Sequence, residues 1–400
     1  MKNNIDVLIA GAGVIGITVA IAIKKVDPRL SVVVLEKESQ VGKHASGRNS
    51  GVIHSGFYYS PNSLKAKFCK EGNLALTELC EKNRIPIRKT GKVVIARSQK
   101  ELIQLEELYR RGIENGVELE FFDQKDLHKF EPLARTYERF LWSPSTAVSD
   151  PILVLNVLSE IAKQKGVKVI PNSKLTISET NKLLVNGEEI FSKHFVNCAG
   201  TQADQIAHSF GVGLEYGMIP FMGVYRSVNE ETLPIKTLIY PVPHPINPFL
   251  GVHFTLTTDG KTKIGPTSVL VAGRETYSFR DSISLGEIRE TFVNALTFAS
   301  GSPVNFAKSL SSEMPKVITR VLVHDAATLV PSAKSVKGWS KRPAGIRAQL
   351  LHKPTRTLEQ DFVVRSGPRS THILNAVSPG WTSSIPFSEW VVNKYIIPAL

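Results

Sequence analysis

Cysteine is scarce: Cys69, Cys80 and Cys198 are the only three in 400 residues, with no C-x-x-C pair and no histidine at finger-like spacing. That excludes a disulfide framework and a structural zinc site, leaves no metal expected, and fits a reducing, cytoplasmic setting. Long apolar runs are missing as well. The one stretch that could pass for a targeting or membrane segment, Val7 to Ile23, is seventeen uncharged residues interrupted by Gly11, Gly13 and Gly16. Acidic residues are in deficit, 36 Asp+Glu against 49 Lys+Arg, for a net charge of +13. A surface of that sign attracts carboxylates, phosphates or acidic lipid headgroups. Nucleic acid is not expected as a partner, because no reading motif accompanies the charge. With 42% hydrophobic and 21% charged residues the chain is neither disordered nor collagen-like nor a coiled coil. Its length exceeds one core, so it is expected to fold as more than one unit.

What is present begins with those glycines. Gly11, Gly13 and Gly16 stand at G-x-G-x-x-G spacing directly after the apolar run Val7 to Ala10, and the residues behind them begin a helix. Gly11 permits the tight turn, Gly13 lets backbone approach a pyrophosphate, and Gly16 lets the helix pack close to the strand. Asp27 and Pro28 end the helix. A second strand, Ser31 to Leu35, closes on Glu36, twenty residues beyond Gly16, where a carboxylate takes ribose hydroxyls. Strand, turn, helix, second strand and terminal acid make one βαβ unit that binds a dinucleotide. Gly211, Gly213 and Gly217 do not form a second such site, because they follow a helix and their spacing is off by one.

Residues His44 to Tyr59 read HASGRNSGVIHSGFYY and continue through Pro61, Ser63, Leu64, Lys65, Ala66 and Lys67. This run resembles the L-2-hydroxyglutarate oxidase and dehydrogenase family, among flavoproteins built like D-amino acid oxidase. So do Asn197-Cys-Ala-Gly200, Tyr240-Pro-Val-Pro-His244, Gly251-Val-His253, Gly265-Pro266, Pro343-Ala-Gly-Ile-Arg347-Ala-Gln349 and Asn375-Ala-Val-Ser-Pro-Gly380. The resemblance implies that the dinucleotide is FAD. On it, the cofactor-binding set is Gly11, Gly13, Gly16, Glu36, Lys37, Ser46, Asn49, Ser50, Ala199, Gly200, Gly345, Ser378 and Gly380, with His54 near the reacting ring.

Farther along, Glu101 to Glu114 carries Leu102, Leu105, Leu108 and Ile113 among charges and reads as an amphipathic surface helix. Asp150 caps a helix with Pro151 at its first position, and Gly166 ends it. Strands are expected over Val167 to Ile170 and His194 to Cys198, then, among Pro- and Gly-rich turns, over Gly251 to Thr258 and Lys261 to Gly265. The expected fold is α/β: a Rossmann-like FAD-binding domain from residues 1–85, 143–217 and 338–400, interleaved with an α+β substrate domain, 86–142 and 218–337, that carries an antiparallel sheet.

Oxidation of a 2-hydroxy acid at a flavin moves the C2 hydride to the cofactor while a base takes the hydroxyl proton. Imidazole suits the base, which makes His54 and His253 the candidates, and the sequence leaves their roles exchangeable. Arg347 suits the substrate carboxylate through its planar fork. Tyr240, Tyr58 and Tyr59 could hydrogen-bond the substrate, and the turn at Ser378 to Gly380 with Ser383 and Ser384 could supply a helix dipole. The family's R-G-E-Y is here Met222-Gly223-Val224-Tyr225, its arginine after G-V-H is Leu256, and Trp381 stands where small residues are common. Two charges expected to meet a dicarboxylate are thereby lost, and Lys65, Arg274 and Arg280 are the candidates to replace them. The expected partners are a small 2-hydroxy acid, with quinone or dioxygen as acceptor and a peripheral membrane contact. Amine oxidation by the same fold is the alternative, and a flavin-binding scaffold without turnover is a third reading.

Overall fold

The computed structural model describes residues 5–178, 182–243, 251–278, 281, 283–301 and 303–400. His244 and Arg280 lie outside the described residues. The βαβ unit forms where the glycines place it. Strand Ile5–Ala10 runs into the turn, helix Val14–Val26 follows, and strand Val32–Leu35 returns beside the first in parallel register, with Ala10 opposite Leu35. Every residue of Val32–Leu35 is buried, as expected of a strand covered on both faces.

These strands belong to a six-stranded sheet in the order Val363–Gly367, Ser370–Asn375, Ser192–Asn197, Ile5–Ala10, Val32–Leu35, Lys168–Ile170. All pairings are parallel except the edge hairpin 363–375. Helix Pro151–Gln164 packs on it, with the Asp150 carboxylate accepting from Ile152 N and Leu153 N at 2.8 and 3.0 Å. Val7, Ile17, Val34, Val154, Leu158 and Phe387 share this core.

The second sheet has ten strands and is antiparallel apart from the pair Lys92–Ile95 and Leu238–Pro241. Its longest pairing joins Tyr216–Asn229 to Ser340–His352. That pairing corrects one expectation: residues 340–352, assigned to the FAD domain, are held by this ladder in the second sheet, and only Val363–Asn375 joins the first. The amphipathic helix forms over Gln99–Glu114 with Ser98 as its cap, and buries Leu102, Leu105 and Leu108. Ile113 departs from the expected stripe and stays 49% exposed. Helices Leu285–Gly301 and Pro303–Glu313, read in sequence only as part of a sheet-bearing stretch, follow the second sheet's strands. Among the described residues no helix is long and apolar enough to cross a membrane.

Candidate active site

A cavity of about 860 Å³ lies between the two sheets, near the upper end of the ~300–1,000 Å³ usual for small-molecule and cofactor sites. One end is made of backbone. Gly11 has φ +98, and a Cβ there would stand 2.5 Å from the Cys198 carbonyl oxygen. The Asn197–Gly200 turn thus lies directly on the glycine turn, and Ala199 and Gly200 both line the cavity. Gly16 does not line it: a Cβ at Gly16 would meet the Gly11 oxygen at 1.9 Å, so its hydrogen permits the helix to approach the strand. Helix Val14–Val26 starts at Gly13 without a side-chain cap, although Ser46 Oγ accepts from Val14 N at 2.9 Å. Gly13, Val14 and Ile15 of this helix start line the cavity, and a helix N-terminus is a common site for phosphate. Glu36, at the end of its strand and 8% exposed, accepts from Ala12 N and Glu38 N, both at 3.0 Å.

The remaining expected cofactor residues also line this cavity: Lys37, Ser46, Asn49, Ser50, Gly345, Ser378 and Gly380. Their bonds refine the expectation. Asn49 donates to Ala45 O and Ser46 O and accepts from Gly51 N, so its amide shapes its own loop. Gly345 gives that loop room, since a Cβ there would lie 2.5 Å from Arg48 O. Lys37 pairs with Glu38 and Glu275 at the cavity rim. With His44 these two acids form a cluster of metal-ligand type, but the Lys37 ammonium already sits between them.

The other end is made of side chains from distant segments. His54 comes from the loop after the glycine unit, Tyr240 and His253 from adjacent strands of the second sheet, and Arg347 from the long strand; all four line the cavity. Tyr240 and His253 stack with ring centroids 3.8 Å apart. His253 Nδ1 lies 2.9 Å from Gly251 O, and a carbonyl only accepts, so Nδ1 carries the hydrogen and Nε2 has the lone pair. Burial, with Lys92, Lys263 and Arg347 adding to it, lowers His253 to about 3 against the upward pull of that carbonyl. His54 is 8% exposed, its N–H donates to Thr382 Oγ1 at 3.1 Å, and its Nδ1 is buried without a hydrogen-bond partner. Burial first, then Lys92, His253 and Arg347, hold its imidazole well below the ordinary histidine range. Both rings are therefore held neutral at pH 7.

Trp381 and Thr382 line the cavity and lead into helix Ser384–Val391. Trp381 Nε1 is buried without a partner, as are Ser383 Oγ and Ser384 Oγ, whose residues do not line the cavity. A buried polar atom left unmade is costly, and a cofactor edge would satisfy Trp381 Nε1. Glycine turn at the helix start, acid at the strand end, cavity size and an orphaned donor all fit FAD.

The charges lost relative to the family do not strip this cavity. Phe221, Gly223 and Tyr225 line it, while Met222 and Val224 alternate to the other face of their strand and Leu256 is packed in the second core. Of the expected replacements, Arg274 is excluded: it is buried in contact with Asp204, Glu290 and the Thr201 carbonyl. Lys65 is 5% exposed and close enough to Arg347 to feel its charge; burial and Arg347 lower it to about 8. Sequence reasoning missed Lys92 and Lys263. Both are lysines inside buried strands, and that misplacement was the available signal.

A flavoprotein with two large sheets, a dinucleotide turn at one end of its cavity and imidazoles with an arginine at the other is an oxidoreductase of small acids or amines by class. The chain matches the family of FAD dependent oxidoreductases over residues 6–394. It is 34% identical to the L-2-hydroxyglutarate dehydrogenase of Indibacter alkaliphilus, over 98% of this chain and 100% of that one. It is 33% identical to the mitochondrial L-2-hydroxyglutarate dehydrogenase of Homo sapiens, over 98% and 89%. In fold it is similar to an L-alpha-glycerophosphate oxidase from Mycoplasma pneumoniae, at TM-score 0.72, 24% identity and 98% and 94% coverage. A glycine oxidase from Geobacillus kaustophilus has the same score at 17% identity, with the same coverage. The protein belongs to the L-2-hydroxyglutarate dehydrogenase family of FAD-dependent oxidoreductases.

Proposed function

We propose that the protein oxidises L-2-hydroxyglutarate to the 2-oxo acid, and that Arg347, His54 and His253 do the work at the substrate end. The carrying observation is that these three, far apart in sequence, line the same FAD cavity, with no carboxylate among the groups that act on either imidazole. When bound, FAD supplies the two-electron acceptor for the hydrogen at C2. Arg347 holds the C1 carboxylate through its guanidinium fork. His54 takes the hydroxyl proton, the role its unpartnered Nδ1 favours, and His253 presents Nε2 to the same hydroxyl or to the carboxylate. Tyr240 fixes the His253 ring by stacking on it. Screening the FAD-loaded protein anaerobically for flavin bleaching tests the reading. L-2-hydroxyglutarate is expected to bleach it, D-2-hydroxyglutarate not; bleaching by amino acids alone would move the reaction to amine oxidation, and no bleaching by any acid would make the protein a scaffold.

The acceptor in this proposal is a membrane quinone, in a cytoplasmic protein that rests on the bilayer. Helix Leu285–Gly301 supports it, because Leu285, Ile288, Phe292 and Leu296 recur at helical spacing and are all exposed, at 84%, 39%, 61% and 53%. An outward apolar stripe on a chain of net charge +13 suits an anionic lipid surface. Cosedimentation with phosphatidylglycerol vesicles should fall at least fivefold for Phe292→Glu. Equal sedimentation of variant and wild type would remove the membrane contact and favour dioxygen.

A further inference from the structure

After the short strand Val269–Leu270 of the second sheet, residues 274–277 lie against loops that leave the first. Arg274 fixes one end. Its buried guanidinium donates to both Asp204 oxygens at 2.5 and 3.0 Å, to Glu290 at 2.7 Å and to the Thr201 carbonyl, and Asp204 is itself 0% exposed. Parting a buried forked pair strands a charge, so this end does not let go. Glu275 lines the cavity, where its carboxylate pairs with Lys37 and accepts from Gln202 Nε2 at 3.4 Å. Lys37 follows strand Val32–Leu35 and Gln202 follows Ser192–Asn197, the two strands that flank Ile5–Ala10, with Ala10 level with both Leu35 and Asn197. One carboxylate therefore joins the chains that leave the sheet on either side of the glycine turn, at the strand ends where a dinucleotide lies. Tyr277 completes the crossing: its hydroxyl is 2.8 Å from His44 Nδ1 and its ring lies 4.0 Å below the Arg48 guanidinium, and His44 and Arg48 both line the cavity. These contacts are looser. The Lys37 and Glu275 side chains stay 30% and 28% exposed, and ion pairs so open to water are weak.

We propose that residues 274–277 are a cofactor strap: hinged on Arg274 and clasped by Glu275 and Tyr277 across the dinucleotide end of the cavity, they hold FAD in and part when it enters or leaves. This rests on FAD occupying the cavity and not on which acid is oxidised. The chemistry of the clasp supports closure over direct binding. A carboxylate repels a diphosphate, so Glu275 is unsuited to hold one, and Lys37, set between Glu38 and Glu275, balances the charge it brings to the rim. The ribose role is already filled by Glu36 at its strand end. A group that binds the cofactor changes the rate of release alone. A strap across the mouth changes entry and release together, and leaves the affinity nearly as it was.

The test measures both rates without turnover: exchange of bound 14C-FAD against excess unlabelled FAD reads release, and flavin fluorescence on mixing FAD with apoprotein reads capture. In the double variant Glu275→Ala, Tyr277→Ala, which removes the ion pair, the histidine contact and the ring beneath Arg48, both rates are expected to rise about thirtyfold. The Kd for FAD should stay within about threefold of wild type, since entry and release change together. Glu275→Gln is nearly isosteric and should raise both rates about threefold; it decides the matter if the double variant does not load. Glu230→Ala cuts the Arg88–Glu230 pair, of similar exposure and away from the cavity lining, and should leave both rates within about twofold of wild type. Unchanged rates in the loaded strap variant overturn the proposal. Faster release with unchanged capture also overturns it, by making Glu275 an ordinary cofactor contact, and so does an equal rise in Glu230→Ala. A wild type that takes up no FAD would overturn it together with the cofactor, whereas one that takes up FAD but oxidises no hydroxy acid would defeat only the assigned reaction and leave these rates standing.

Discussion

The two ends of the cavity are built from different materials. At the cofactor end the work is done mostly by backbone: a positive-φ glycine, a close helix-to-strand contact and a helix start on the cavity wall, with one acid at a strand end. At the substrate end it is done by side chains from four separate stretches of chain, brought together only when the second sheet closes over the first. A backbone site requires particular residue types at fixed spacing, because the geometry is local. A side-chain site requires only that the right groups meet, and many sequences can place them there.

Changes at the backbone end should therefore be the least forgiving. Gly16→Ala puts a Cβ 1.9 Å from the Gly11 oxygen, where neither backbone segment can yield; flavin content after reconstitution should fall to near zero. Normal FAD loading of this variant would break the comparison at its root. Next in size is the base. His54→Gln should load flavin but lower the anaerobic reduction rate by about a thousandfold, within the usual span for general-base catalysis, and His253→Gln by about tenfold. The reverse order would exchange the two roles. Arg347→Met should retain FAD and lower kcat/KM for L-2-hydroxyglutarate by about a hundredfold, the worth of roughly one charge-assisted pair, mostly through KM. Met222→Leu should change kcat/KM by less than about twofold, since Met222 does not line the cavity. A large loss there would mean that the strand presents its other face to the substrate.

The same contrast explains what could be read from the sequence. The βαβ unit was legible residue by residue, and Gly11, Gly13, Gly16 and Glu36 take up the positions their spacing implies. Asp150 with Pro151 was legible as a cap for the same local reason. His54, His253, Arg347 and Tyr240 could be named only through resemblance to a family, because nothing in their spacing brings them together; the cavity does. Resemblance also misjudged the anchors. Position by position, Met222, Val224 and Leu256 looked like losses from the site, whereas strand alternation turns the first two away from it and Leu256 lies in a core. Arg274 looked like a replacement and is a buried partner of Asp204 and Glu290. That residues 340–352 pair in the second sheet was not legible, because pairing of a long strand depends on a partner more than a hundred residues away. Lys92 offered only the weak signal of a lysine opening an apolar strand, which reads as exposed unless the surrounding rings are known.

The central claim is that the side-chain end of the cavity, Arg347 opposite the two imidazoles, is where a 2-hydroxy acid is held for oxidation. The most direct measurement is a crystal structure of the FAD-loaded protein soaked with the product, 2-oxoglutarate. The C1 carboxylate is expected within hydrogen-bond distance of the Arg347 guanidinium, with the 2-oxo oxygen facing His54 Nδ1 or His253 Nε2. A product bound with its carboxylates away from Arg347, or outside the cavity lined by His54, His253 and Tyr240, would contradict it.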